Sequence, residues 1–441
     1  MSNASSEILI RNGLVWPSAG DETVEDGSIL IRDGRIARVG RFHARAETVI
    51  DAGGALVMPG LIQGHVHLCQ TLFRGAAEDV PLFPWLTRCV WPLEAAHDED
   101  SMRASALLAC AEMIRGGVTA FLSMETVHLT DVVFRAVEEA GLMGVISHCL
   151  MDESCGYESL AVAIDDSLAD CEVLMDHWAG HDRLKLAVAP RFALSCTEQN
   201  MRLAARFARE KGLLLHTHAS EQAAEVELVR RRTGQFNIEY LHEVGLSGAD
   251  VCVAHCVHTE RHERKILEET KTRVLHCPSA NMKLGSGIAP IPEYLGLGIP
   301  VALGSDGSPC NNRLDMFLEM RQAGFAQKIR LGPEALPARA VVRMATEGGA
   351  SALAWSDEMG TLAEGKRANI ILVNPESVHV LPSADPATNL VYAHDAGDVL
   401  MTIVNGKILF EDGQLTAIDE DRLRSDVRKE RKKLFQRAGL E

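Results

Sequence analysis

Several histidines and one aspartate stand where apolar runs of this sequence end. His65 and His67 close one run, His218 closes another, and Asp306 follows a third. Residues two apart on a β-strand point to the same face, so His65 and His67 can bind one ion together. Three imidazole nitrogens and one carboxylate oxygen suit Zn²⁺ or Fe²⁺ and leave room for a water molecule. The four residues therefore predict a metal site.

Residue type alone does not identify the ligands, because the chain contains 17 histidines and an HxH pair can arise by chance. His216, two residues before His218, is equally eligible by type. His276 and His148 could instead be hydrogen-bonded histidines of the core. Burying an unpaired polar group costs about 2–7 kcal/mol. Polar residues at the ends of apolar runs are therefore not expected to serve only for packing in the core. The metal interpretation rests on their combination.

The elements that must position these residues alternate between short apolar runs and amphipathic stretches. The apolar runs are Leu61–His67, Val118–Met124, Gly144–Leu150, Leu184–Pro190, Leu213–His218, Val251–His255, Arg273–Cys277 and Pro300–Gly304. The helical stretches are Ser101–Arg115, Asp131–Ala140, Glu198–Lys211, Glu260–Lys271 and Leu314–Lys328. Eight strands alternating with helices predict an α/β fold, a (β/α)8 TIM-type barrel over residues 58–364, with catalytic groups at the carboxyl ends of the strands. A doubly wound sheet would instead place a glycine-rich phosphate turn after its first strand, which here ends in His-Val-His.

Both ends of the chain have the pattern of β-hairpins. Asp33-Gly34 and Asn405-Gly406 each lie between short apolar runs, and such pairs favour two-residue hairpin turns because both central residues need positive φ. We therefore expect residues 1–57 and 365–441 to form one composite small β-sandwich domain. The charged segment Asp419–Glu441 is expected to be a solvated helix packed on that domain.

The composition is that of an ordinary globular protein. The 441 residues are 46% hydrophobic and 24% charged, and 44 Lys and Arg against 61 Asp and Glu give a net charge of −17. The acidic balance argues against nucleic-acid or anionic-membrane partners. Met1–Glu7 shows no signal-peptide core, no run is long enough to span a membrane, and the eleven cysteines form no CxxC pair. We expect a cytoplasmic protein with reduced, buried cysteines.

Five segments resemble one enzyme superfamily. VMPGLIQGHVHLCQTL (Val57–Leu72) is similar to the start of the amidohydrolase superfamily barrel. LHTHASE (Leu215–Glu221), AHCVH (Ala254–His258), HCPSANMKLGSGIAP (His276–Pro290) and LGSDGSPCNN (Leu303–Asn312) resemble its mononuclear deaminase branch. That branch includes deaminases of 5′-deoxyadenosine, methylthioadenosine and S-adenosylhomocysteine, with triazine hydrolases and guanine deaminase as relatives. The resemblance covers nearly the whole chain.

The resemblance implies a site for one divalent metal ion, Zn²⁺ first and Fe²⁺ as the alternative, held by His65, His67, His218 and Asp306. Binuclear relatives carry a carbamylated lysine at the end of the fourth strand. Here that strand ends at Pro190-Arg191, and its lysine, Lys185, lies near its start. A single ion is therefore expected.

The implied reaction is hydrolytic deamination. Glu221 is expected to be the proton shuttle between the attacking water and a ring nitrogen. His255 and Asp306 would orient that water and stabilise the tetrahedral intermediate before ammonia leaves. The alternative for Glu221 is an ordinary carboxylate at the start of a helix.

Four further residues bear on the substrate. Trp85 and Glu94 match positions that cover the substrate and bind ribose hydroxyls in adenosine-type deaminases, whereas Gln70 and Arg191 match guanine-binding positions. Trp85 could also be core packing. The stretch His148–Tyr157 has no arginine to hold the carboxylate of S-adenosylhomocysteine.

We therefore expect an aminated purine nucleoside of the 5′-deoxyadenosine or methylthioadenosine type as substrate, and a homo-oligomer as in the relatives. The alternatives are a deaminase of a free amino-heterocycle (guanine, a pterin or an s-triazine) and a catalytically inactive barrel scaffold.

Overall fold

The computed structural model describes residues 7–153, 157–382 and 385–440. Residues 1–6 and 441, at the ends of the predicted small domain, lie outside the described residues, as do 154–156 of the arginine-free stretch. The strands are β1 (Glu7–Val15), β2 (Val24–Arg32), β3 (Arg35–Gly40), β4 (Thr48–Asp51), β5 (Leu56–Pro59), β6 (Leu61–Val66), β7 (Val118–Met124), β8 (Met143–Leu150), β9 (Leu184–Pro190), β10 (Leu214–Ala219), β11 (Val251–His255), β12 (Arg273–His276), β13 (Val301–Leu303), β14 (Ile370–Val373), β15 (Val399–Val404), β16 (Lys407–Glu411) and β17 (Gln414–Leu415). The α-helices are α1 (Leu82–Trp85), α2 (Trp91–Ala95), α3 (Glu99–Arg115), α4 (Thr130–Ala140), α5 (Ile164–His177), α6 (Glu198–Lys211), α7 (Ala223–Thr233), α8 (Asn237–Glu243), α9 (Arg261–Thr270), α10 (Pro278–Lys283), α11 (Ile291–Gly296), α12 (Ser308–Asn311), α13 (Met316–Leu331), α14 (Ala338–Arg343), α15 (Gly349–Ala352), α16 (Pro386–Tyr392) and α17 (Glu420–Ala438).

Strands β6 to β13 form one eight-stranded parallel sheet in sequence order, surrounded by helices, which confirms the predicted (β/α)8 barrel. The strands are mostly apolar because both of their faces are buried. The barrel closes where the segment after β13 meets β6: the Asp306 N–H donates to the His65 carbonyl at 3.0 Å. Gly304 permits this approach, since a Cβ there would lie 2.6 Å from the His65 nitrogen.

The remaining strands come from both ends of the chain and form a separate mixed sheet in the order β17-β16-β15-β14-β5-β1-β2-β3, with β4 beside β1. The two predicted hairpin turns are present. Asp33 and Gly34 have φ of 48° and 77°, and Asn405 and Gly406 have 49° and 74°. The turns pack on each other, since a Cβ on Gly34 would lie 2.7 Å from the Asn405 carbonyl oxygen. The small β domain built from both termini is confirmed; its boundaries stay a prediction.

The charged C-terminal helix α17 packs against α3 and α2 of the barrel region, not mainly on the small domain as expected. Leu434 is fully buried in a cluster that includes Trp91, and Arg437 donates to the Ala96 carbonyl and pairs with Asp98. The helix therefore braces the segment that leads from α2 into α3.

Within the described residues, no helix is both long and apolar enough to cross a membrane. The ten cysteines that the structure describes are all buried and unpaired, in agreement with the expectation of reduced core thiols.

Candidate active site

The residues predicted to bind the metal or to act in catalysis meet at the carboxyl ends of the barrel strands. His67 follows β6, His218 lies near the end of β10, His255 ends β11, and Asp306 follows β13. His255 and Asp306 have φ of 73° and 63°, in the left-handed region. Non-glycine residues adopt this conformation at a cost of about 1–3 kcal/mol and keep it where the surrounding structure imposes it.

His67 and His218 face each other with their Nε2 atoms 3.4 Å apart. Their Nδ1 atoms donate to backbone carbonyls, His67 to Met124 at 2.7 Å and His218 to Arg191 at 2.9 Å. In a neutral ring only one nitrogen carries hydrogen, so both facing Nε2 atoms present lone pairs. Two lone pairs cannot form a hydrogen bond with each other, but both can bind one cation.

The other two predicted ligands complete this cluster. Asp306 Oδ1 lies 3.4 Å from His65 Nε2 and 3.2 Å from His67 Nε2. His65 is fully buried, and its Nε2 has no hydrogen-bond partner among the described residues. Donor type, convergence and the unpartnered nitrogen of His65 thus fit a metal ion held by His65, His67, His218 and Asp306.

The charges expected on these side chains are those that metal binding requires. Burial lowers the pKa of His65 to about 4 and that of His218 well below its usual value, so both rings are neutral at pH 7. Burial alone would raise the pKa of Asp306, but its interactions with His65 and His67 hold that pKa well below the usual range. His65 and His218 thus offer neutral nitrogens beside the anionic oxygen of Asp306.

The other candidate histidines lie elsewhere. His216 Nε2 is 2.9 Å from His65 Nδ1, so His216 contacts a ligand rather than joining the cluster. His148 bonds Thr130 through Nδ1, as a core histidine would. Both ring nitrogens of His276 are buried and have no partner among the described residues.

Glu221 and His255 lie beside the ligand cluster. Glu221 Oε2 is 3.6 Å from His255 Nε2, which is 3.8 Å from Asp306 Oδ2. His255 Nδ1 donates to Asn281 Oδ1 at 2.9 Å, and Ser286 Oγ donates to Glu221 Oε1 at 3.2 Å. Asn281 and Ser286 belong to the motif that begins at His276, but the sequence alone gave them no role.

Burial raises the pKa of Glu221 to about 7, so its carboxyl group can both accept and donate a proton near neutral pH. Burial opposes protonation of His255, but the carboxylates of Glu221 and Asp306 outweigh it and raise the His255 pKa. Both groups thus lie beside the ligand cluster with pKa values raised above their usual ranges.

Glu225 supports the backbone of the site and was not identified from the sequence. Its buried carboxylate accepts from the backbone N–H groups of Ser220, Glu221 and Gln222 at 3.2, 2.7 and 3.4 Å. Asn237 Nδ2 donates to it at 2.5 Å. The available signal was the capping-box spacing between Gln222 and Glu225 at the start of α7. Glu225 fixes the backbone from which Glu221 projects.

A cavity of about 470 Å³, including its open mouth, lies above this group. Three of the four predicted substrate residues, Gln70, Trp85 and Arg191, line it together with Glu221 and His255. Its apolar wall consists of Leu82, Trp85, Leu86, Phe192 and Leu284.

Glu94 does not line the cavity and is buried behind it. Arg191 binds the Glu94 carboxylate with two hydrogen bonds of 2.6 and 3.1 Å, and Gln70 Nε2 donates to it at 2.8 Å. Burial would raise the pKa of Glu94, but Arg191 outweighs it and lowers that pKa. The carboxylate is thus already engaged, and its direct contact with a ribose stays a prediction.

Comparisons with known proteins show which sequences and structures this chain is similar to. Residues 56–409 match the Amidohydrolase family. The chain is 41% identical over 426 residues to 5′-deoxyadenosine deaminase of Methanothermobacter thermautotrophicus, covering 95% of this chain and 96% of the relative. It is 37% identical over 435 residues to 5-methylthioadenosine/S-adenosylhomocysteine deaminase of Syntrophobacter fumaroxidans, covering 97% and 98%. The solved structure of an adenosine deaminase from Xanthomonas campestris with bound zinc superposes with a TM-score of 0.92 at 28% identity, covering 98% and 99%.

Proposed function

The chain belongs to the amidohydrolase family, and from this premise we propose that it hydrolytically deaminates a 6-aminopurine nucleoside with a small neutral 5′ group. The observation that carries the proposal is the position of Glu221. Its carboxyl group lies at the floor of the cavity, beside His255 and the converging ligand atoms. An aminohydrolase needs a proton-transfer group at that place.

We propose Zn²⁺ as the metal ion, held by His65, His67, His218 and Asp306. A bound Zn²⁺ lowers the pKa of a water molecule toward about 7 and so supplies the nucleophile at neutral pH. The relative solved with bound zinc supports this choice, and Fe²⁺ is the alternative for the same donors.

The protein groups carry out the proton transfers. Glu221 accepts a proton from the attacking water and donates it to the ring nitrogen beside the amino-bearing carbon, which makes that carbon electrophilic. The new C–O bond forms as the ring double bond opens. His255 and Asp306 orient the attacking oxygen and stabilise the tetrahedral carbon centre. The amino group then leaves as ammonia after receiving the second water proton.

The cavity supports a neutral substrate. Among the described residues that line it, Arg191 is the only lysine or arginine, and its charge is already balanced by Glu94. The apolar wall suits a purine face and a 5′-methyl or methylthio group. The names of the relatives support a 6-aminopurine nucleoside. Of the compounds named there, 5′-deoxyadenosine and methylthioadenosine have a small neutral 5′ group, whereas S-adenosylhomocysteine has a charged one.

Ammonia release from a panel of amino-heterocycles tests the substrate class. The panel contains 5′-deoxyadenosine, methylthioadenosine, S-adenosylhomocysteine, guanine, isoxanthopterin and melamine. We expect the highest kcat/KM for one of the first two compounds. A highest value on any free heterocycle would refute the nucleoside proposal, and no release from any compound would favour the inactive scaffold.

Elemental analysis tests the metal site. His67→Ala and Asp306→Ala each remove one proposed metal bond and are expected to abolish both metal content and turnover. One metal ion per chain retained in both variants would contradict the ligand assignment.

A further inference from the structure

His216 is a fully buried histidine of the barrel interior that the proposed reaction does not use. We propose that His216 is a positioning residue, which holds His65 in the tautomer that can bind the metal ion and thereby sets the metal affinity of the site. The inference rests on the metal site proposed above. It gives a role to the histidine that could not be distinguished from His218 by type.

The contact between the two rings is specific. His65 Nδ1 and His216 Nε2 are 2.9 Å apart, and the rings meet edge to face at 86° with their centroids 4.9 Å apart. Two residues before His218 on β10, His216 points to the same inner face of the barrel. It therefore reaches across the interior, one layer below the ligand cluster, to a residue of β6.

A single hydrogen lies between the two facing nitrogens, and its position decides what His65 can do. If His65 Nδ1 carries it, the neutral ring presents a lone pair at Nε2 to the ligand cluster. If His216 Nε2 carries it, the hydrogen of His65 must sit on Nε2, where it blocks a metal bond. His216 therefore has to act as the acceptor.

The surroundings of His216 favour that arrangement. Its Nδ1 lies 3.2 Å from Ser147 Oγ, which can accept a hydrogen bond. With its own hydrogen on Nδ1 and directed to Ser147, His216 keeps Nε2 free to accept from His65. The relay runs from His65 through His216 to Ser147.

Burying the imidazole of His216 in the barrel interior costs free energy unless its ring nitrogens are hydrogen-bonded. Barrel interiors are ordinarily filled with branched apolar side chains, whereas a buried imidazole must be hydrogen-bonded to offset its desolvation. Outer partners of metal-binding histidines fix ring orientation and tautomer, and their loss typically costs about 10–100-fold in metal affinity.

The test measures Zn²⁺ affinity of the purified protein by competition with a chromogenic chelator. We expect His216→Leu to weaken Zn²⁺ binding by about 10–100-fold, because His65 Nδ1–H loses its acceptor. His216→Gln offers a side-chain oxygen in its place, so it should stay within a few-fold of wild type. His148→Leu is the matched control: it removes an equally buried imidazole of β8 that bonds Thr130, and it should leave Zn²⁺ affinity unchanged.

Thermal unfolding of the metal-free variants shows whether each one folds. If His216→Leu does not fold, Ser147→Ala provides the test, because it removes only the hydroxyl that accepts from His216. We expect Ser147→Ala to weaken Zn²⁺ binding several-fold. Wild-type affinity in a folded His216→Leu or Ser147→Ala protein would overturn the proposal, as would a Gln variant as weak as the Leu variant. If instead wild type binds no stoichiometric Zn²⁺, or His67→Ala retains it, the metal site itself is wrong and the positioning role falls with it.

Discussion

Replacing Glu221 by glutamine separates proton transfer from metal binding. Glutamine keeps the size of the side chain and the oxygen that accepts from Ser286 Oγ at 3.2 Å. Its backbone remains held by the Glu225 carboxylate, which accepts from the Glu221 N–H at 2.7 Å. The amide cannot accept and release a proton as the carboxyl group does. The variant should therefore fold, retain its metal ion and bind product-like purines.

The size of the effect follows from the role. A positioned general acid–base group contributes about 10²–10⁴-fold to rate, or about 2.7–5.4 kcal/mol of activation free energy. Glu221 is buried with a pKa near 7, so it is matched to both transfers of the proposed cycle, from water and to the ring nitrogen. We expect kcat to fall by at least the lower limit of that range.

Three measurements decide the matter: kcat from ammonia release, metal content by elemental analysis, and purine binding by calorimetry. Glu227→Gln is the matched control, because Glu227 lies on the same segment but is exposed and pairs with Arg231 at 2.7 Å. A Glu221→Gln protein that keeps more than about a tenth of wild-type kcat would refute the proton-shuttle role, since even the low end of the general acid–base range is larger. Loss of the metal ion would show instead that Glu221 is a ligand.

Three further changes test buried ionisable groups. Glu94→Ala leaves the Arg191 guanidinium buried without its carboxylate partner, which should lower the free energy of unfolding by about 3–5 kcal/mol. The Glu94→Leu/Arg191→Met double variant should recover much of that loss in urea unfolding, and additive losses would contradict the coupling. Arg191→Ala should raise KM more than it lowers kcat if the guanidinium holds the substrate. Burial raises the pKa of Glu319 from 4.5 to about 8, so the folded protein retains a proton that the unfolded chain releases. Stability should therefore fall as pH rises from about 4.5 to about 8, by up to about 1.4 kcal/mol per pH unit from this group. Glu319→Gln should flatten that dependence between pH 6 and pH 8, and an unchanged slope would exclude Glu319 as its source.

Local pattern was sufficient for much of the fold. The eight apolar runs predicted the barrel strands because strands buried on both faces are mostly apolar. Asp33-Gly34 and Asn405-Gly406 predicted their turns because the backbone there requires positive φ at both central residues. The spacing of His65 and His67 predicted that they share one face of a strand.

Contacts across the barrel were decided only by the tertiary structure. His216 and His218 have the same type and face, but they contact different groups: His216 lies opposite Nδ1 of His65, whereas His218 faces Nε2 of His67. The bond between Arg191 and Glu94 joins residues 97 positions apart, which no local spacing encodes.

The C-terminal helix shows the same limit. Its charged sequence predicts a helix with a solvated face. The surface that the helix packs on depends on the positions of the other elements in the fold. Sequence periodicity determines which face a residue occupies, because that is set by backbone geometry over a few residues. What that face meets is determined by strand order and barrel closure, which bring together side chains that are distant along the chain.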